Sequence, residues 1–482
     1  MKRLLQITLC FITMSSFAQI QIGQDIDGLI IGGRFGQSCS MSDDGKIIAI
    51  GAPNTDTGRG LVKIYELSSV TSSWGQLGNN LTGSKTMNFF GESVALSANG
   101  LTLLVGSRTT YSDSGKAQVF ELDNGNWIQK GSSLNGENLG DWFGQSVSIN
   151  HDGNIIAVGA PYNDDAGSNA GHVRVYAFGN GEWVQVGNDI DGESSLDKFG
   201  RSVSLSSDGN IIAIGAPGNS ATSAISSSGH VRVFENFNGS WIQVGSEING
   251  LANSWSGYSV SISDSGDVLA VGAPNQLIEG AASVYKYDNG SWSKIGSDIY
   301  GTEAGDNAGW AVSLSGDGSK IAIGAPNNDG PTYSNNAMGQ VLVYELINGN
   351  WYSLGQAIYG NNTEDGSGES VTISGDGKVV GIGSVNANGN NLGDVRIFTN
   401  ASAFKINEQD NNEIIIYPNP ARERISVQSS TDSHFTIYNL AGQQLVRGRC
   451  NEEIDITYLP TGSYQLRLIT EEDITTHSIL KL

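Results

Sequence analysis

The sequence predicts an all-β protein: a seven-bladed β-propeller of four-stranded blades, followed by a small antiparallel β-sandwich of immunoglobulin-like type. Three observations carry this reading. Seven copies of one unit align on Gly51, Gly106, Gly159, Gly215, Gly272, Gly324 and Gly383, spaced 52 to 59 residues apart. Every copy has an X-Gly turn six residues before that glycine, and an Asn-Gly turn recurs later in the unit, as at Asn180-Gly181 and Asn238-Gly239. Two tight hairpins per unit describe four short strands, and regular repetition of such units describes blades around an axis. Beyond Phe398 the repeat stops and a different β-rich pattern begins.

The unit from Phe199 to Pro217 shows why each strand forms. Strand A alternates small polar and apolar residues, Ser202-Val203-Ser204-Leu205, which suits a strand lining a narrow axis. Asp208-Gly209 turns the chain into strand B, Ile211-Ile212-Ala213-Ile214, whose continuous apolar run predicts burial on both faces. Strand C alternates again, from His230 to Phe234, and strand D carries Trp241. Equivalent tryptophans stand at 74, 127, 183, 292 and 351, and their regularity predicts packing between neighbouring blades.

Six such tryptophans serve seven units, because the seventh ends at strand C, Asp394 to Phe398. The missing strand lies at the other end of the sequence. Ile22-Gly23-Gln24-Asp25-Ile26-Asp27-Gly28 matches Val186 to Gly192, the tail of a D strand. A propeller over residues 19–400 therefore closes by sharing its last blade between the two ends, which leaves no open sheet edge.

Lys2 and Arg3 precede an apolar run from Leu4 to Ile12 and then Ser15-Ser16-Phe17-Ala18, so residues 1–18 read as a removed secretory signal. No later run reaches the roughly 18 apolar residues of a membrane-spanning helix. The net charge is −23 with no Lys/Arg cluster, which argues against nucleic acid as a partner. Cys39 takes the apolar slot that Val203 fills in its own unit, so a buried thiol is expected, with no disulfide framework and no zinc spacing.

The paired Phe-Gly and Gly-Ala-Pro motifs, as in Phe35-Gly36 with Gly51-Ala52-Pro53, resemble the FG-GAP repeat family known from integrin α-subunit propellers. The family's calcium loop has carboxylates at alternating positions between strands A and B. Here that loop is cut to Ser206-Ser207-Asp208-Gly209 and its equivalents, too few oxygen ligands for a calcium cage. The resemblance therefore brings no calcium site, and no cofactor is expected.

Residues 401–412 read as a linker and 413–482 as a second β unit. Tyr417-Pro418-Asn419-Pro420, Ile437-Tyr438-Asn439-Leu440 with Gly442, Leu459 with Gly462 and Tyr464, and the near-terminal Lys481 follow in the order of the type A sorting domain of the type IX secretion system. This resemblance implies export across the outer membrane, engagement of the secretion machinery, and a secreted or cell-surface destination.

No motif for a nucleophilic triad, a zinc protease or a phosphate cradle is present, so no catalytic residue is assigned. His172 and His230 occupy one slot of strand C in two units and read as structural. Arg174, Arg232 and Arg396 are likewise equivalent and read as a solvated outer surface. The ligand-binding expectation falls on the face formed by the B-to-C and D-to-A loops, because these vary in length while the opposite hairpins do not. The residues singled out there are Asp56, Asp164, Asp165 and Asp329 after the Gly-Ala-Pro motifs, and Asp141, Trp142, Asp197, Trp255, Asp306 and Asp365 before the Phe-Gly positions. Turn formation is the plain account of these aspartates, and weak divalent-cation binding the functional one. The function expected is a surface-displayed or secreted binding or adhesion protein with a glycan or protein ligand. A secreted enzyme acting on polysaccharide or peptide, or a structural surface component, is the alternative.

Overall fold

The structure, a computed structural model, describes residues 19–108, 114–220, 227–331 and 337–400, and in the C-terminal part 415–417, 424–428, 434–439, 443–450, 453–460, 462–469 and 474–481. The expected signal and linker lie outside these residues. The chain divides into two compact units, 1–403 and 404–482.

In the first unit, seven antiparallel sheets follow one another, each with the order A-B-C-D. In blade 4 the strands are Ser202–Leu205, Ile211–Ala216, His230–Phe237 and Ser240–Gln243, with a second piece of strand D at Ile248–Asn249 that also pairs with C. Strand B is buried on both faces as its composition requires: Ile212, Ala213 and Ile214 are fully inaccessible. Strand D is interrupted at Gly245, which has φ +71° and passes beneath the next blade's tryptophan. A Cβ there would lie 2.8 Å from Trp292 Cδ1, so the interruption makes room for the indole.

The Phe-Gly and Gly-Ala-Pro motifs meet across blade interfaces. A Cβ on Gly215 would stand 2.0 Å from the carbonyl oxygen of Gly257 in the next blade, and the same approach recurs from Gly51 against Gly91 to Gly383 against Gly36. Only glycine allows two backbones that close. Strand A contributes the stitching: Ser202 Oγ donates to Gly257 O at 2.9 Å, and Ser38, Ser93, Ser146, Ser259 and Ser370 do the same in their blades.

At the hairpin end of the axis a ring of backbone hydrogen bonds closes on itself. Asp43 N donates to Ala98 O, Ala98 to His151, His151 to Ser207, Ser207 to Asp264, Asp264 to Gly316, Gly316 to Gly375, and Gly375 back to Asp43, all at 2.8–3.1 Å. The His151 ring sits between two carboxylates of this end, 3.0 Å from Asp264 and 3.5 Å from Asp43.

Closure follows the expected register. Gln19–Gln21 pairs with Phe398–Asn400, and Ile26–Asp27 pairs with Asp394–Val395. Ile22 and Ile26 are each 4% exposed, so the closing segment is anchored by apolar burial as well as by the ladder.

The second unit is a sandwich of two antiparallel sheets. One holds Ile415–Tyr417, Arg424–Gln428 and Glu453–Asp455; the other holds His434–Tyr438, Gln444–Arg449, Gly462–Ile469 and Ile474–Lys481. Ile425 and Val427 of the first meet Phe435, Ile437, Val446 and Leu466 of the second in one core. No disulfide is present among the described residues; Cys450 is buried, while Cys39 is half-buried rather than the fully buried thiol expected, and desolvation pushes its thiol up to about 11.

Candidate functional site at the axial mouth

The loop-face aspartates divide into two groups. Asp141, Asp197, Asp306 and Asp365 are at most 2% exposed and turned into their own connections. Asp306 Oδ2 accepts from the backbone N–H of Thr302 and Glu303 and from the Asn328 amide at 2.8–3.0 Å. Asn163 donates likewise to Asp141 at 3.0 Å and Asn219 to Asp197 at 3.1 Å, which ties each B-to-C loop to the D-to-A turn beside it. Asp365 accepts from Asn362 N at 2.7 Å. Burial pushes Asp197 and Asp365 above the usual carboxylate range despite these donors. With oxygens engaged inside the turns, these four hold the shape of the loop face and are covered in this structure.

Asp56, Asp164 and Asp165 are exposed, and Asp329 is half-buried. Their local partners are Arg59 for Asp56, the Asn169 N–H for Asp164, the Asn163 amide for Asp165 and the Ala337 N–H for Asp329.

A second set of residues converges on the axis at the same face. The residue following the Phe-Gly glycine, or its equivalent, stands at the entrance to strand A in every blade: Gln37, Glu92, Gln145, Arg201, Tyr258, Trp310 and Glu369. Their side chains form three groups of contacts around the mouth. Glu369 accepts from Gln37 at 3.2 Å and faces Arg34 at 3.5 Å; Gln145 donates to Glu92 at 3.5 Å, and Arg108 pairs with Glu92 at 2.9 Å. The Arg201 guanidinium lies 4.2 Å from the centre of the Tyr258 ring, which in turn packs on Trp310 at 4.6 Å.

Behind this ring stands the residue before each Phe position: Arg34, Phe89, Trp142, Lys198, Trp255 and Asn307, all with φ between 50° and 58°, and Gly366 with φ 64°. Bulky side chains avoid this region, and a residue held there costs about 1–3 kcal/mol. Glycine would relieve the cost, yet six blades hold a larger residue. Trp142 packs on Tyr162 at 4.3 Å with Arg108 at 4.8 Å from its ring, while Trp255, 38% exposed, stacks beside Tyr258 at 6.4 Å.

The mouth is thus an aromatic rim on two sides with Arg, Glu and Gln groups between. Glu92 and Glu369 are the two carboxylates of the ring, with side chains 9% and 13% exposed. Burial raises Glu369 above the ordinary range, and Arg34, Gln37 and Arg201 oppose that rise. Sequence reading singled out Trp142 and Trp255 but missed Arg201, Tyr258, Glu92 and Glu369. The signal was present: one position that changes in character from unit to unit, between a glycine that never varies and a serine or alanine.

The strand C arginines are corrected. Arg174, Arg232 and Arg396 are 8%, 6% and 4% exposed, so they are interior groups. Arg396 donates to Asn361, to Tyr359 O and to Ser367, and Arg232 packs 4.3 Å over Phe199. Alternation along strand C had been assigned the wrong outer face: the neighbouring blade covers it.

In the second unit, Tyr417 ends a strand, Gly462 opens one, and Lys481 closes the last. Tyr464 is buried with its hydroxyl donating to Pro460 O at 2.5 Å. Pro418, Asn419, Pro420 and Gly442 lie outside the described residues.

Comparison with known proteins agrees with both units. Residues 135–178 match the FG-GAP repeat, and residues 415–481 match the secretion system C-terminal sorting domain. No curated protein matches the chain. Among solved structures, two with provisional 6-phosphogluconolactonase assignments are similar. The one from Bacteroides uniformis ATCC 8492 is 15% identical, covering 67% of this chain and 85% of its own, with TM-score 0.48. The one from Bacteroides fragilis NCTC 9343 is 12% identical, covering 73% and 97%, with TM-score 0.49. Saccharomyces cerevisiae Sqt1 is 12% identical, covering 96% and 98%, with TM-score 0.44.

Seven closed sheets built on Phe-Gly and Gly-Ala-Pro contacts make the first unit an FG-GAP-repeat β-propeller. Its second unit is a type IX sorting domain, which engages the secretion machinery and directs the protein to the cell surface or the medium. Among the described residues no helix is long and apolar enough to cross a membrane.

Proposed function

We propose that this exported propeller is a binding protein that takes an extracellular glycan or protein ligand at its axial mouth. The observation that carries the reading is the ring Gln37, Glu92, Gln145, Arg201, Tyr258, Trp310 and Glu369: five kinds of side chain on one repeated position that follows a glycine in all seven blades. Exposed aromatic faces beside fixed polar groups suit a ligand with both apolar and hydrogen-bonding surfaces. Strain kept at Trp142 and Trp255 supports the same conclusion. The test is a glycan and protein array probed with the purified chain, followed by the variant Arg201→Ala with Tyr258→Ala. Binding that survives this double variant unchanged overturns the mouth as the site.

A second reading, a hydrolase, rests on Glu369, whose buried carboxyl is raised and shares the mouth with Glu92. Release of product from a polysaccharide or peptide that binds, lost in Glu369→Gln, would favour it. Binding without turnover rejects it.

A further inference from the structure

We propose that His230, Glu193 and Glu247 form a site for a divalent first-row transition metal, with zinc favoured by the donor set. His230 opens strand C of blade 4, Glu247 leads into the second piece of strand D in the same blade, and Glu193 follows strand D of blade 3. One donor atom from each lies within 4.8 Å of the others, and His230 Nδ1 is 3.5 Å from Glu247 Oε2. A neutral imidazole with two carboxylates is a nitrogen and oxygen set that suits zinc, with water completing the shell.

The independent observation is His230 itself. It is fully buried, yet neither ring nitrogen has a hydrogen-bond partner among the described residues. A buried polar group left unpaired costs about 1–3 kcal/mol, so a ring carrying two is a poor structural filler. A metal on one nitrogen removes part of that cost.

The blade before offers an internal comparison. Glu137, His172 and Asp189 stand at the equivalent positions, also within 4.8 Å, and His172 is equally buried and unpartnered. There Arg174 already serves as the cation: it bonds Asp189 at 2.9 and 3.0 Å and pairs with Glu137 as well. In blade 4 the equivalent Arg232 reaches Glu193 at 3.2 Å and otherwise turns to the Asp191 carbonyl and the Phe199 ring. Among the described residues Glu247 accepts a hydrogen bond only from Asn249, at 2.9 Å. The carboxylates of Glu193, Glu247, Asp191 and Asp197 all act on Arg232, so the region holds negative charge beyond what one guanidinium balances. Blade 4 is therefore the open site and blade 3 the one closed by its arginine.

The experiment uses the full chain, stripped with a chelator, titrated with Zn2+ by calorimetry and with Co2+ for its visible ligand-field bands. One equivalent is expected to bind, raising the melting temperature. Glu247→Gln and His230→Gln should each weaken binding by at least about tenfold, since loss of even an outer-shell partner has that effect. Glu137→Gln with Asp189→Asn should leave it unchanged. Glu247 is half exposed, so its variant carries the test if His230→Gln does not fold. The proposal is overturned if no stoichiometric binding occurs, if Glu247→Gln binds as the parent does, or if only the blade 3 variant loses the metal.

Discussion

The side-chain amide of Gln19 donates to the carbonyl oxygen of Leu354 at 2.8 Å. In the other six interfaces an indole N–H makes this bond: Trp241 to Val186 O at 2.9 Å, and Trp74, Trp127, Trp183, Trp292 and Trp351 to their preceding blades at 2.9–3.0 Å. Gln19 thus fills the tryptophan's place where the ring closes. Removing residues 19–28 should strip strand C of blade 7 of its partner and uncover Val395 and Ile397, which Ile22 and Ile26 pack against, with a clear fall in melting temperature. An unchanged melting temperature would show that closure contributes nothing. Trp241→Phe keeps the ring and loses only the bond, which should cost about 1 kcal/mol in denaturant unfolding.

Asp306 and Asp164 lie on the same face and should behave in opposite ways. Asp306→Ala removes the acceptor shared by the Thr302 and Glu303 N–H groups, the Thr302 hydroxyl and the Asn328 amide, and a loss of about 2–3 kcal/mol is expected. Asp164→Ala removes one bond in an exposed loop and should change stability by less than about 0.5 kcal/mol. Equal effects in chemical denaturation would contradict the division drawn between them.

Asp394 gives the stability a pH dependence of definite sign. Burial raises its carboxyl to about 6, against the attraction of Arg396 and with added repulsion from Asp25 and Asp365. A raised folded value means the protonated form is favoured in the fold. That stabilisation is complete below about pH 4 and is lost as pH rises through 6. Asp394→Asn should therefore raise the melting temperature at pH 8 and leave it nearly unaltered at pH 4. A gain that is the same at both would sink this assignment.

At the mouth, Trp255→Ala and Trp310→Ala should weaken binding of any ligand that the array identifies, with little loss of stability for the half-exposed Trp255. Substitutions beside Asp208-Gly209 and Asn238-Gly239, at the other end of the blades, should have no effect on affinity. The reverse pattern in titrations would place the ligand on the hairpin face.

Residues 413–482, fused to a neutral reporter that carries a secretory signal, should bring it to the surface or medium of a host with the type IX system. Fractionation that finds the fusion in the periplasm, while another sorting domain exports the same reporter, would count against the module acting alone.

The blades were legible because their signals are local and repeated: an Asp-Gly or Asn-Gly turn, a continuous apolar strand, a tryptophan at fixed spacing. Closure was legible from one unmatched D-strand tail. What escaped reading depends on which blade covers which face. Arg232 looks like a surface residue in an alternating strand, and only Phe199 beneath it, with Asp191 and Glu193 from the preceding blade's side, makes it interior. Asp197 looks like a free loop carboxylate until Asn219, 22 residues onward, is seen to claim it. Arg201, Tyr258 and Glu369 were passed over because each was compared with its own blade, whereas the mouth takes one residue from every blade.

The pairing of Gln19 with Asn400 spans nearly the whole propeller sequence. Such a contact is entropically the most expensive in the molecule and forms late, since every intervening blade must first shorten the distance. A chain threaded across a membrane in order keeps its earliest strand unmatched until its last strand has arrived. Completion of the ring then reports that the chain has reached its last propeller strand: a chain truncated before that strand carries a sheet edge with no mate, a template for aggregation.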